Sequence, residues 1–296
     1  MSDRHTCADG RSTAPLLTAR LLDGCVIAIG DCVVDTSSSR RTRNLLTYLV
    51  VHRHTAVPRD VLMDVFWPRA FPDAARNSLH VALTGVRQAL RVATSYPVLQ
   101  RRLDTYQLVP PGGSWVDVTE FEHYAAQGQR FDRAGDPGLA RRAYETASDL
   151  YEGDFLADDP YSPWPVQLRE HLRLQIIELR TRLIDFYLDG NDVSSATSTA
   201  RAAIALDPYN EPLHRQLMIC YTSSGQIHRA LSQYHQCAEL LWNEFRVRPS
   251  AETTRIFTEL RSGSIAGVTD RVTGRFPNHE RHSPPGRLVA SGRVAL

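Results

Sequence analysis

The chain has 296 residues, 42% of them hydrophobic and 23% charged, a globular composition with room for two domains. No apolar run approaches the ~18 residues of a membrane-spanning helix. The first twenty residues hold no apolar stretch of the secretory kind, so a cytoplasmic chain without a membrane partner is expected. The five cysteines, at 7, 25, 32, 220 and 237, form no C-x-x-C pair. That argues against a zinc ribbon and a disulfide framework, and they read as buried free thiols.

The net charge of +1 hides a division. Residues 20–110 hold 12 arginines against 7 acids, while residues 117–262 hold 15 against 22. A basic front and an acidic rear suit different partners, and DNA phosphate favours the first. All 34 basic residues are arginine, which reads as the codon bias of a GC-rich bacterial genome.

In chain order, residues 1–19 read as a disordered leader. Residues 20–36 carry short Val/Ile/Leu runs punctuated by Asp23-Gly24 and Gly30-Asp31, which predict two or three strands joined by tight turns. Ser37-Ser38-Ser39 offers caps for a helix with Leu45, Leu46, Leu49 and Val50 as its apolar stripe. Val57-Pro58-Arg59-Asp60 opens a second helix, buried through Val61, Leu62, Val65 and Phe66 and ended by Trp67-Pro68. A third helix follows over 74–90. Leu79, Leu83, Val86 and Leu90 share its inner face, and Asn77, Val81, Thr84 and Gln88 the outer, flanked by His80, Arg87 and Arg91. Amide, hydroxyl, methyl and guanidinium groups on one exposed face are the groups that read the major groove. Two strands then flank a turn over Arg101–Thr105, whose Arg101 and Arg102 suit a minor groove or phosphate.

Pro110–Ser114 reads as a linker and Asp117-Val118-Thr119-Glu120 as a capping box. From there the chain is helix after helix, with candidates at 118–133, 137–151, 163–189, 192–206, 211–224, 226–245 and 250–261. Gly135-Asp136, Gly190-Asn191 and Gly225-Gln226 each precede a helix that carries Ala140, Ala196 or Ala230. The last two alanines lie 34 residues apart, the tetratricopeptide period. The expected fold is therefore mainly α: an N-terminal winged helix-turn-helix (20–110) with a small β-sheet and wing hairpin, then an all-α tetratricopeptide-like repeat domain (117–262). Residues 263–296 read as a disordered basic tail.

Several stretches resemble the Streptomyces antibiotic regulatory protein family, which joins an OmpR-like winged helix to a bacterial transcriptional activator domain. They are Arg76–Val81 with Val86–Leu90, Tyr106-Gln107-Leu108, Leu150–Leu156 with Pro160-Tyr161 and Trp164, Leu206–Glu211 with His214–Met218, and Glu244–Thr253. Two features depart from the pattern: Thr105 stands where the family has glycine before the wing tyrosine, and Gly85 interrupts the third helix. No G-x-x-x-x-G-K-[ST] motif for a nucleotide-binding module follows. The resemblance implies a pathway-specific activator of secondary-metabolite genes. Such a protein binds direct repeats in double-stranded DNA as a homodimer of side-by-side protomers and recruits RNA polymerase holoenzyme.

On that reading Asn77, His80, Val81, Thr84 and Arg87 contact bases. Arg40, Arg41, Arg43, Arg76, Gln88 and Arg91 hold phosphate, and Arg101 and Arg102 anchor the wing. No catalytic residue, metal or cofactor is expected. His52-Arg53-His54 lacks a carboxylate at ligand spacing, and Asp154, Asp158 and Asp159 lack a partnering base. A repressor on the same fold, and a repeat scaffold without specific DNA binding, remain open alternatives. No pocket for a small-molecule effector is legible.

Overall fold

The computed structural model describes residues 14–37 and 39–263. Most of the expected leader, Ser38 and nearly all of the expected basic tail lie outside them. The chain divides into two compact units, the second starting at Ile184.

The first unit opens with β1 (Leu17–Arg20), β2 (Val26–Ile29) and β3 (Cys32–Val33). β1 begins inside the segment expected to be a leader. Leu17 and Ala19 alternate inward and are buried, which holds it in place. Helix α1 (Arg40–Val51) follows, capped by the Ser39 hydroxyl, which accepts from the Thr42 amide at 3.2 Å. Its Leu45, Leu46, Leu49 and Val50 are sealed in the core. Next come β4 (Val57–Pro58), α2 (Arg59–Phe66), α3 (Pro72–Ala93), β5 (Leu99–Arg102), β6 (Thr105–Leu108) and β7 (Ser114–Val116). β3-β2-β1-β7 form one sheet and β4-β6-β5 another. Val57 and Pro58, expected to open a helix, pair with Tyr106 and Thr105 instead. In α2 only Leu62 is buried, whereas Val61 is exposed.

Two expectations after the wing are corrected. The linker ends in β7, which runs parallel to β1 through Leu17↔Ser114 and Ala19↔Val116. Asp117 does not close a capping box. Its Oδ2 accepts the Leu21 and Leu22 amides at 2.6 and 2.9 Å, and its Oδ1 the Val118 amide at 2.7 Å. Burial holds this carboxyl above the ordinary aspartate pKa, against the pull of the three amide donors. The N-cap position is Val116, which offers no side-chain acceptor.

Asp117 ties β1 to the start of α4 (Asp117–Ala134), which pairs with α5 (Pro137–Leu150). This tie and the β1–β7 pairing keep α4 and α5 in the first unit. The division falls inside α6 (Val166–Asp189), beyond the expected linker over Pro110–Ser114. Arg53, flanked by the two histidines, is also buried across this junction. It donates to Ser114 Oγ at 2.7 Å, to the Val50 carbonyl at 3.2 Å and to Thr119 Oγ1 at 3.1 Å.

The second unit holds α7 (Val193–Leu206), α8 (Glu211–Ser223), α9 (Ile227–Phe245) and α10 (Ala251–Arg261). Consecutive helices pack on one another. The repeat is real, with one offset. A left-handed residue ends each preceding helix, namely Gly135, Asn191 and Gly225 at φ 78°, 56° and 71°. The middle turn is thus carried by Asn191, one place later than the glycine pattern suggested. From the residue after each, the small residue comes four positions on, and Ala140, Ala196 and Ala230 are all fully buried. Small side chains there let paired helices approach closely. Cys25, Cys220 and Cys237 carry free thiols and Cys32 does not, which corrects the expectation for that residue. Burial raises the Cys220 thiol to about 12.

Candidate nucleic-acid interface

The third helix separates its faces as its sequence predicts. In α3, Leu79, Leu83, Val86 and Leu90 are buried, while Asn77, His80, Val81, Thr84, Gln88 and Arg91 are exposed and Arg87 is half-buried. Val81 is 71% exposed, so its methyl groups are open to solvent on the outer face. The Thr84 hydroxyl donates to the His80 carbonyl at 2.8 Å, leaving its lone pairs outward. Arg76 makes a 3.3 Å pair with Asp73 on its own helix, and both side chains are largely exposed.

Gly85 has a structural reason. A Cβ there would lie 2.6 Å from the Thr42 Oγ1 of α1. The glycine lets α1 and α3 cross closely, which sets the angle at which the outer face of α3 is presented. At the same crossing, the start of α1 and the first turns of α3 leave a concavity of about 380 Å³. Ser39, Arg41, Thr42, Asn77, Ser78 and Val81 line it. Ser39, expected only as a helix cap, is brought beside Asn77 and Ser78 by the crossing.

The eight predicted phosphate and wing residues separate in the structure. Arg41, Gln88 and Arg91 are exposed. Arg40 and Arg43 are held by the loop after α5. Arg40 Nε donates to Asp159 Oδ2 at 3.1 Å, and Arg43 Nη1 to Asp158 Oδ2 at 2.9 Å. Asp159 is almost wholly buried and also accepts from Asn44 at 3.0 Å. These two arginines, expected on phosphate, have intramolecular carboxylates as partners. Of the acidic residues that looked like a candidate cluster, Asp158 and Asp159 are their counter-ions and Asp154 pairs with Arg173, and no group of three or more residues able to hold a metal exists among the described residues.

The wing turn is shorter than expected. Arg101 and Arg102 lie in β5, opposite Tyr106 and Thr105, leaving Leu103 and Asp104 as the turn. Arg101 Nε donates to the Leu103 carbonyl at 3.0 Å, which folds it back over the turn. Thr105, the departure from glycine, closes the turn by donating from Oγ1 to the Arg102 carbonyl at 2.9 Å. The strained residue is Leu103 at φ 52°, 93% exposed at the tip. A left-handed leucine costs ~1–2 kcal/mol. Leu103→Gly is therefore expected to stabilise the chain by about 1 kcal/mol, read as a rise in thermal midpoint. An unchanged or lowered midpoint would mean the turn relaxes in another way.

The comparisons agree with this architecture. Residues 116–261 match the bacterial transcriptional activator domain family. Regulatory protein DnrI of Streptomyces peucetius is 30% identical over 227 residues, covering 73% of this chain and 82% of that protein. Regulatory protein AfsR of Streptomyces griseus is 27% identical over 229 residues, 75% of this chain but 22% of AfsR. The solved structure of Mycobacterium tuberculosis EmbR in complex with a low-affinity phosphopeptide is alike in fold. Its TM-score is 0.67 at 21% identity, over 89% of this chain and 70% of that one. With a winged helix in front of an activator domain and a relative such as DnrI, the chain belongs to the Streptomyces antibiotic regulatory protein family of transcriptional regulators.

Proposed function

We propose that this regulator is a sequence-specific activator that lays α3 in the major groove. Asn77, His80, Val81, Thr84 and Arg87 face base edges, and Gln88 and Arg91 reach the phosphates beyond. The concavity at the start of α1 takes a phosphate, through Arg41 and the free amides of the first helical turn. Arg76 reaches the backbone by releasing its exposed pair with Asp73. Arg102 and Arg101 track the strand beside the wing. Arg40 and Arg43 are left out of this assignment, because breaking their ties would leave the buried Asp159 carboxylate without its cations. The observation that carries the reading is the polar and methyl-bearing outer face of α3, exposed along its length while the inner face is sealed.

By resemblance to the family, two copies sit side by side on a direct repeat near a promoter of a secondary-metabolite cluster. The helical repeats, acidic where the front is basic, contact RNA polymerase. A concave repeat surface suits such protein partners.

A gel shift on the gene's own upstream intergenic DNA, at two salt concentrations, tests the reading. We expect a discrete shift that survives competitor DNA. Asn77→Ala or Arg87→Ala should each weaken it by ~1–3 kcal/mol, about fivefold to 150-fold, on the cognate site alone. Arg41→Ala should weaken binding to every sequence and reduce the salt slope by about 1. Equal shifts on any DNA, unaffected by Asn77→Ala, would leave only a generic basic domain.

A further inference from the structure

A groove that shares only Arg41 with the DNA reading runs along the first unit where α1 and α2 meet the loop after α5. It has two compartments that share Val65, Pro163 and Trp164 as a common wall. The larger, about 450 Å³, is lined chiefly by apolar and aromatic groups, among them Tyr48, Val51, Pro68 and Leu168. That volume lies within the ~300–1,000 Å³ of small-molecule pockets. The smaller, about 210 Å³, contains Arg40, Arg41 and Asn44. Apolar at one end and cationic at the other, the groove has the polarity of an amphipathic anion.

Three further observations point to a ligand. Trp164 sits at the centre of an aromatic cluster, with ring centroids 5.3 Å from Tyr48, 5.9 Å from Phe155 and 6.3 Å from Phe66. Such walls favour a flat ring. The indole N–H groups of Trp164 and Trp67 are both buried without an acceptor. A buried donor left unpaired is costly, so an oxygen acceptor entering here is favoured more than on a satisfied surface. Arg40 is engaged by Asp159, whereas Arg41 has no carboxylate partner among the described residues.

We propose that this groove binds a small aromatic carboxylate. The ring lies in the larger compartment against Trp164, and the carboxylate lies in the smaller one on Arg41. Both tryptophans line the groove, Trp164 in both compartments and Trp67 in the smaller. The site touches α1, α2 and the Asp158–Trp164 loop together, so an occupant contacts both the DNA-binding helices and the start of the activator domain.

Isothermal titration of the full chain with 2-naphthoate and with neutral 2-naphthamide tests this without DNA, so its outcome is independent of the DNA-binding reading. We expect one-site saturable binding of naphthoate, at least about tenfold tighter than naphthamide. Arg41→Ala should remove that preference while leaving naphthamide binding unchanged. Trp164→Phe, which keeps a ring but removes the N–H, should weaken both ligands, with a thermal melt showing that the variant is folded. Arg41 is exposed, so its variant decides the matter even if Trp164→Phe does not fold. Three results would overturn the proposal: no saturable heat at millimolar naphthoate, equal affinity for acid and amide, or naphthoate binding that Arg41→Ala leaves unchanged. The last would hand the groove to a purely apolar occupant, such as a side chain from a second copy.

Discussion

Asp117→Ala is expected to lower stability by about 3 kcal/mol, which for a unit of this size is a fall of about 6–12 °C in thermal midpoint. Its carboxylate takes three backbone amides at 2.6 to 2.9 Å, from Leu21, Leu22 and Val118, in a site closed to water. Removing it leaves three donors unpaired at once, each worth ~1–3 kcal/mol when buried, with some recovered if water enters. Asp117→Asn should be nearly as harmful despite its shape. One of its two ends is then an NH₂ group facing amide donors, so whichever way the amide turns, at least one contact becomes donor to donor. Circular dichroism melts of both variants check this. A loss under ~0.5 kcal/mol, the range of an ordinary surface change, would mean that the tie between β1 and α4 does not form.

The second large effect is expected at Gly128 of α4. A Cβ there would lie 2.4 Å from two ring carbons of Tyr144, which is itself 3% exposed in α5. Helix propensity alone predicts that Gly→Ala in a helix interior gains ~1 kcal/mol. Overpacking against a fixed ring costs ~1–3 kcal/mol and occasionally more. We expect the clash to win, with Gly128→Ala destabilising the chain by about 2 kcal/mol. Tyr144→Leu in the same chain should recover part of that loss, because it removes the ring face, whereas Tyr144→Phe should recover none. A denaturant series on the single and double variants reads the coupling directly. A stabilised Gly128→Ala would show that the two helices can separate freely.

The two glycines teach one lesson about α3 and α4. In the sequence, Gly85 looks like a defect in the recognition helix, and Gly128 draws no notice. Both mark places where another element comes within a methyl group of the backbone, Thr42 in one case and Tyr144 in the other. Local propensity assigns such a residue a penalty because the neighbour that requires it lies far along the chain.

The arginines show the same limit for charge. Arg40, Arg41 and Arg43 are equivalent as letters on the first turn of α1. The fold gives Arg40 to Asp159 and Arg43 to Asp158, more than a hundred residues away, and leaves Arg41 exposed beside the outer face of α3. Arg101 and Arg102 look alike at a hairpin tip, yet the short Leu103-Asp104 turn folds Arg101 back on the Leu103 carbonyl.

By itself the sequence determined which segments are helices, because a 3.6-residue apolar period persists over two or more turns and is local information. It determined the inner and outer faces of α3 for the same reason, and through the family's residues it determined the class of protein. Tertiary structure alone decided where the units divide, what Asp117 is for, which arginines remain available and that a groove exists at Trp164. Each of those depends on contacts between residues tens to more than a hundred positions apart. Such contacts are set by packing and by the need to satisfy buried polar groups, neither of which leaves a periodic mark along the chain.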